Sequence, residues 1–310
     1  MSNVLAVDAG QTGIKLRHVD ATGAREAALP GIRTDLPLGP QLAAVLGEAE
    51  RRFGPAERIG VGVSGLTEGA VGAYELLARA RVSARSLALA HDSVTGYLAA
   101  LGEEPGAVVA AGTGVVTLAV GVAEVARVDG WGNIMGDVGS GHWIGRAALE
   151  AVMRAHDGRG PETALTDAVR AEFPDLEAAY ILLQSDERRV GRVAGFARAV
   201  AALAESDAVA AAITDTAASE LVCSVSAGLR RVGQDAAPRP QVRAIGGVFR
   251  SARLMRSFAA GMAERHPSAE VRIGAADALD GAVRLVAIGA GNPLRALVDR
   301  VATAEVGEPA

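Results

Sequence analysis

Cysteine is nearly absent from this chain. Cys223 stands alone, which excludes an internal disulfide and a cysteine-built zinc cluster. Lysine is as scarce: of 31 basic residues only Lys15 is lysine and the rest are arginine, a pattern of coding bias more than of chemistry. Long uncharged apolar runs are scarce too. The longest uncharged stretch, Pro105 to Ala123, is interrupted by the turn residues Gly112-Thr113-Gly114, so no membrane span is predicted although half the residues are apolar. The start runs from Met1 into an apolar Val4-Leu5-Ala6-Val7 with no basic leader, and a cytoplasmic location is expected. Net charge is −5 with acids and bases interspersed, which leaves no basic face for nucleic acid. An anionic ligand would have to be met by backbone amides, helix ends and a metal ion.

What is present is an alternating α/β pattern that occurs twice. Val4 to Asp8 and Ile14 to Val19 read as two tightly joined strands. A helix over Leu38 to Arg52 follows, then a strand at Arg58 to Ser64, a helix at Val71 to Arg81 and a strand at Leu87 to Ala90. The pattern restarts with strands at Ala107 to Ala111, Val115 to Val120 and Val125 to Val128. A long helical stretch from about Ile144 to Arg231 is broken at Gly158–Pro161 and Pro174. Strand Val242 to Ile245, a helix after Ser251 that stops before Pro267, strand Val271 to Ile273 and a helix over Ala276 to Ala290 complete it. Thr303 to Ala310 are polar and expected to fray. Two such units predict two domains with a ligand cleft between them. The expected division is residues 1–105 with a C-terminal helix at about 291–302, and residues 106–290 with a helical insertion.

Three glycine-bearing turns sit where this alternation places strand ends. Asp8-Ala9-Gly10-Gln11-Thr12-Gly13 closes the first strand with a carboxylate and then a turn. Glycine lets consecutive amides converge on an anion, and Asp8 can hold a Mg²⁺ ion that bridges phosphates. Gly112-Thr113-Gly114 repeats the design in the second unit. Gly246-Gly247 lies at a strand-to-helix junction, where bare backbone admits a flat ligand and the helix start favours phosphate. Each alone is also an ordinary tight turn. Two at equivalent places suit a pair of loops gripping a phosphate chain. Five histidines without paired helical spacing predict no zinc site, and Cys223, among Leu221, Val222 and Val225, reads as filler.

In order and spacing these turns resemble the phosphate-1, phosphate-2 and adenosine motifs of actin/hexokinase-like ATPases. More narrowly, His91-Asp92-Ser93 and the string Asp129-Gly130-Trp131-Gly132-Asn133-Ile134-Met135-Gly136-Asp137-Val138-Gly139-Ser140-Gly141-His142-Trp143-Ile144-Gly145 resemble the N-acetylglucosamine kinase group of the BadF/BadG/BcrA/BcrD ATPase family. The resemblance implies a two-domain, ribonuclease H-like α/β fold with an interdomain cleft, and an ATP-dependent, Mg²⁺-requiring transfer of phosphate to the 6-hydroxyl of an amino sugar. It implies Asp92 as general base, Gly132, Asn133 and Asp137 with Asp92 on the sugar, and Asp8 near the metal. Gly10, Gln11, Thr12, Lys15, Gly112, Thr113, Gly114, Gly246 and Gly247 would meet ATP. A homodimer is the expected assembly. Two segments depart from the family pattern: Ala9-Gly10-Gln11-Thr12-Gly13-Ile14 stands for Gly-Gly-Gly-Thr-Lys-Thr, which displaces lysine to Lys15, and Val138 stands for the usual Glu.

Glucosamine is the alternative substrate, since acids in the 129–137 loop could suit an amine. A dehydratase activase of the same broad family would need cysteine ligands for an iron–sulfur cluster, which a lone Cys223 does not supply. A kinase-like sugar sensor would need a helix-turn-helix segment, and the chain shows none.

Overall fold

The computed structural model describes residues 3–33 and 36–302, so the expected fraying of residues 303–310 lies outside the described residues. The chain divides into two compact units, one of Met1–Glu104 with Ala276–Ala310 and one of Pro105–Ala275. The first begins with β1 (Val4–Ala9), β2 (Ile14–Asp20) and β3 (Gly23–Leu29) as an antiparallel meander. α1 (Leu38–Phe53), β4 (Arg58–Val63), α2 (Ala73–Ala80), β5 (Ser86–His91) and α3 (Asp92–Leu101) follow, with β4 parallel to β1 and β5 parallel to β4. The helical spacing of Leu42, Val45, Leu46 and Ala49 puts all four in the core with Leu5, Val7, Ile59 and Val61 of the sheet.

The second unit repeats the plan. β6 (Gly106–Ala111), β7 (Val115–Val120) and β8 (Val125–Val128) form its meander. Then come α4 (Gly132–Met135), α5 (Gly141–His156) and the short helices α6 (Leu165–Glu172), α7 (Leu176–Ser185), α8 (Arg189–Gly195) and α9 (Ala197–Leu203). α10 (Ala208–Arg231) leads to β9 (Gln241–Ile245), parallel to β6, and α11 (Ala252–Arg265) leads to β10 (Glu270–Gly274), parallel to β9. By length and composition α10 is the one described helix that could cross a membrane. Its Ala217, Leu221, Val225 and Leu229 are buried in the core of this unit, which accounts for the apolar run.

The chain then returns to the first unit through α12 (Ala278–Leu285) and β11 (Val298–Ala302), which pairs antiparallel with β5. The strand orders are β11-β5-β4-β1-β2-β3 and β10-β9-β6-β7-β8, so the repeat read from the sequence is real at the level of topology. Three expectations are corrected. The first unit reclaims the chain at Ala276 and not near residue 291, because α12 packs on β1 and α3. The helix expected over Ala276 to Ala290 is shorter, and the helix expected at about 291–302 is a 3₁₀ turn (Pro293–Leu297) followed by a strand. The first meander has a third strand, β3, that the sequence pattern did not announce.

α12 fits against its neighbours only because two contact positions lack side chains. A Cβ on Gly281 would collide with the Thr95 carbonyl of α3, and one on Gly60 with the Ala282 carbonyl. Both obstacles are backbone, which cannot swing aside. Gly281→Ala should therefore cost on the order of 1–3 kcal/mol, as overpacking does, where alanine on an open helix face would gain about 0.5–1 kcal/mol. A denaturation midpoint at or above that of the wild type would show that α12 does not sit this close.

Candidate functional site

In the first unit the candidate residues gather at the carboxyl ends of β1, β4 and β5, which lie side by side. After β1 the turn closes with the Gly10 amide donating to the Gly13 carbonyl at 3.1 Å. The Ile32 amide donates to the Gly10 carbonyl at 3.0 Å, and Gly31 lies so close to Gln11 that no side chain would fit. The chain beyond β3 thus braces the turn from behind, while Gln11 and Thr12 stand exposed at its tip.

Asp8 lies in register with Lys15 on β2, and residues directly opposite in an antiparallel pair share a face. Lys15 is therefore an exposed strand residue beside Asp8 and not a member of the turn. Burial pushes the Asp8 carboxyl up, with the charges of Asp92 and Asp277 adding to it and Lys15 opposing. No described residue hydrogen-bonds that carboxylate. A half-buried acid crowded by other acids and left without a donor suits a cation. Among the described residues no three His, Cys or acidic side chains converge into a cage. Mg²⁺ is usually held by one or two carboxylates plus water and phosphate oxygens, so this donor set fits an ion that arrives with a nucleotide.

Asp92 opens α3, and His91 is its N-cap, with Nδ1 3.2 Å from the Ser93 nitrogen; Nδ1 accepts from that amide when unprotonated and donates to Asp92 instead when it carries a proton. Ser64, the residue after β4, donates its hydroxyl to Asp92 Oδ2 at 2.7 Å, and His91 Nδ1 lies 2.9 Å from Oδ1. Burial pulls the Asp92 carboxyl up, yet His91, Ser64 and the Ser93 amide together hold it below the usual carboxylate range. A third of the side chain stays exposed, 33%. The result is an ionised, oriented carboxylate with one accessible side. Sequence reasoning missed Ser64. Its signal was positional: β4 and β5 pair with Val63 opposite His91, so the residues that follow them are neighbours.

The second unit gathers the other candidates. The Gly112 amide donates to the Gly114 carbonyl at 2.8 Å, and the carbonyls of Gly112 and Thr113 accept from the amides of Gly141 and His142, which start α5. Gly112 and Thr113 remain exposed. Gly246, at φ +107°, nestles against the backbone of Ala111, where any side chain would collide, so Gly246 and Gly247 adjoin the 112–114 turn.

The loop between β8 and α5 meets the same turn through Asp137. Asp137 is buried, 8% exposed, at φ +61°, and accepts from the Gly132 amide at 3.2 Å and from the backbone of Val115. Its Oδ2 leaves no room for a side chain at Gly114. Burial, with the charge of Asp129, pushes its carboxyl up. The predicted sugar contact thus spends its carboxylate largely inside the loop, whereas Gly132 and Asn133 are exposed. Asp129, at φ +59°, accepts three backbone amides: Gly130 at 2.8 Å and Asp137 at 2.7 Å on Oδ1, and Val138 at 3.1 Å on Oδ2. Trp131, Ile134 and Met135 point outward, and the Arg127 guanidinium lies 4.2 Å from the Trp131 ring centre.

The model of the BadF/BadG/BcrA/BcrD ATPase family matches residues 41–284. An N-acetyl-D-glucosamine kinase of Dictyostelium discoideum is 27% identical over 172 residues, 54% of this chain and 54% of that protein. An N-acetylmuramic acid/N-acetylglucosamine kinase of Clostridium acetobutylicum is 35% identical over 107 residues, 33% of this chain and 34% of that one. The chain thus spans about half or less of the length of the curated relatives it matches. A crystal structure of a candidate N-acetylglucosamine kinase from Chromobacterium violaceum is similar over 92% of this chain and 99% of its own, with 27% identity and a TM-score of 0.72. The fold is the actin/hexokinase-like one. By that fold, by the Asp92 and 129–145 segments and by the match over most of its length, the chain belongs to the BadF/BadG/BcrA/BcrD ATPase family.

Proposed function

We propose that this protein is an ATP-dependent kinase that phosphorylates the 6-hydroxyl of N-acetylglucosamine. The observation that carries the reading is Asp92, ionised, aimed by Ser64 and His91, and open on one side. In the reaction the sugar hydroxyl oxygen attacks the γ-phosphorus in line. Its proton passes to the Asp92 carboxylate, the bond from phosphorus to the β–γ bridging oxygen breaks, and ADP leaves. Phosphoryl transfer needs little beyond positioning and charge stabilisation. Exposed backbone at Gln11–Thr12 and Gly112–Thr113 suits the phosphates, and the bare backbone of Gly246–Gly247 suits the nucleoside. Asp8 would hold Mg²⁺, which when bound neutralises phosphate charge.

The neutral acetamido sugar is favoured over glucosamine by the state of the two loop acids. Asp129 is engaged by three amides, and Asp137 is buried and hydrogen-bonded. Neither offers a free carboxylate to an ammonium group. In an ADP-release assay N-acetylglucosamine should give a kcat/KM at least about tenfold above glucosamine, a difference of ~1.4 kcal/mol. Equal or reversed values would return the substrate to glucosamine.

Asp92→Asn keeps the shape but cannot take a proton, and general-base contributions run about 10²–10⁴-fold. The variant should lose at least about a hundredfold in kcat while keeping the wild-type circular dichroism spectrum. Retention of more than about a tenth of the activity would remove Asp92 from the role of base. Because its carboxyl is held below the ordinary range, Asp92 should stay ionised throughout the neutral region. It should contribute no fall in kcat/KM between about pH 8 and 5.

The two tryptophans divide the fluorescence cleanly. Trp143 is partly buried against the core of its unit, and Trp131 is exposed beside Arg127. Adding N-acetylglucosamine should shift or quench emission in the wild type and do neither in Trp131→Phe. A signal that survives in Trp131→Phe would mean that the loop is not what senses sugar.

A further inference from the structure

The loop from Asp129 to Val138 carries the exposed Gly132 and Asn133, yet has almost no apolar anchoring of its own: Trp131, Ile134 and Met135 all point to solvent. Its order must come from polar contacts. Asp137 supplies some of them by accepting from the Gly132 amide, and the rest converge on Arg127, Arg231 and Asp129 at the root of the loop. Arg127, on β8, donates Nε to the Asp129 carbonyl at 3.2 Å and Nη2 to the Gly130 carbonyl at 2.7 Å. Arg231, at the end of α10, donates to the Arg127 carbonyl at 2.7 Å and ties this root to the core helix. Asp129 then closes the loop. One carboxylate gathers the amide of Gly130 on the outgoing limb and those of Asp137 and Val138 on the returning limb. The closure is tight, since a Cβ on Gly136 would come within 2.5 Å of Asp129 Oδ1. Asp129 holds φ +59°, a conformation natural to glycine, so a side chain at this position carries a backbone penalty that its own hydrogen bonds must offset.

We infer that Asp129 is a positioning residue: with Arg127 it fixes the backbone of residues 130–138 so that Gly132 and Asn133 are presented to the sugar already in place, and it touches no substrate itself. The inference rests on the reading of this loop as the sugar-binding segment. A loop ordered before binding loses less freedom when ligand arrives, and that gain is shared by ground and transition states alike. Its removal therefore raises KM for the sugar and leaves kcat nearly alone.

Two substitutions separate the carboxylate from the backbone. Asp129→Gly relieves the positive φ but deletes the acceptor, and Asp129→Asn keeps the size but places an amide nitrogen against backbone N–H groups. Both should raise the N-acetylglucosamine KM at least about tenfold, with kcat and the ATP KM within about threefold of wild type. Hydrogen–deuterium exchange of the ligand-free full chain should show residues 130–138 exchanging at least about tenfold faster in both. Arg127→Met, which removes the carbonyl clasp, should give the same two changes and provides the test if Asp129→Gly fails to fold. Wild-type exchange rates in Asp129→Gly would overturn the inference, because the backbone alone would then hold the loop. So would a fall in kcat at constant sugar KM in Asp129→Asn, because the carboxylate would then act on the reacting groups. If the wild-type chain phosphorylates no sugar, the proposed function fails while the exchange measurement still decides the role of Asp129.

Discussion

The arrangement of this molecule rests on the parallel pairing of strands that end level with one another. A buried strand keeps its amides and carbonyls satisfied by its neighbours only as far as it runs, and groups just beyond its carboxyl end are free for other partners. In the first unit Val63 pairs with His91 and Ala9 with Val63, so the residues at the ends of β1, β4 and β5 form one row. Ser64 and Asp92 follow that row by one residue, and Asp8 precedes it by one. In the second unit Ala110 pairs with Ile245, which brings the 112–114 turn beside Gly246. Crevices at the carboxyl ends of parallel strands are the general place for ligands in open α/β sheets. Here the register of β1, β4 and β5 assembles the candidates of the first unit, and that of β6 and β9 sets the 112–114 turn beside Gly246 and Gly247.

Within the first unit two carboxylates respond in opposite directions to similar burial. Asp8 and Asp92 are both pushed toward the neutral form by desolvation. Asp92 has a hydroxyl, an imidazole and an amide to hold its negative charge, and it falls below the usual range. Asp8 has only Lys15 across the strand pair, offset by two neighbouring acids, and it rises. Environments that split two acids in this way assign them different work. One is a carboxylate kept charged by the protein. The other reaches that state most readily with a cation beside it.

Much of this was legible in the sequence because the strands of both units are apolar runs ended by glycine or a carboxylate. β3 was not legible. Gly23-Ala-Arg-Glu-Ala-Ala-Leu lies largely exposed on a sheet edge, with neither β-branched residues nor strict alternation. β11 was misread as helix because Leu294 to Val301 has mixed periodicity, and its pairing with β5 is a tertiary choice made across more than two hundred residues. Asp92 and the glycine turns could be picked out singly. Ser64 became visible only once β4 and β5 were in register, and Asp129 only once four residues at positive φ (Asp129, Gly130, Gly132 and Asp137) had folded the loop back on its carboxylate. Hydrogen bonds made by a backbone that turns left-handed leave no spacing to read.

The return of the chain to its first unit bears on the order in which the parts can be made. Pro105–Ala275 is continuous, so every contact inside the second unit is available once that stretch has emerged. The first unit lacks α12 and the edge strand β11 until residues 278–302 follow. Until then β5 offers an unpaired edge, and the faces of β1 and α3 that α12 covers are bare. During synthesis the middle of the chain can therefore fold first, while its beginning waits, half built, for its end. Exposed strand edges are where nascent chains meet chaperones or each other, and β5 is an edge that stays open until β11 arrives.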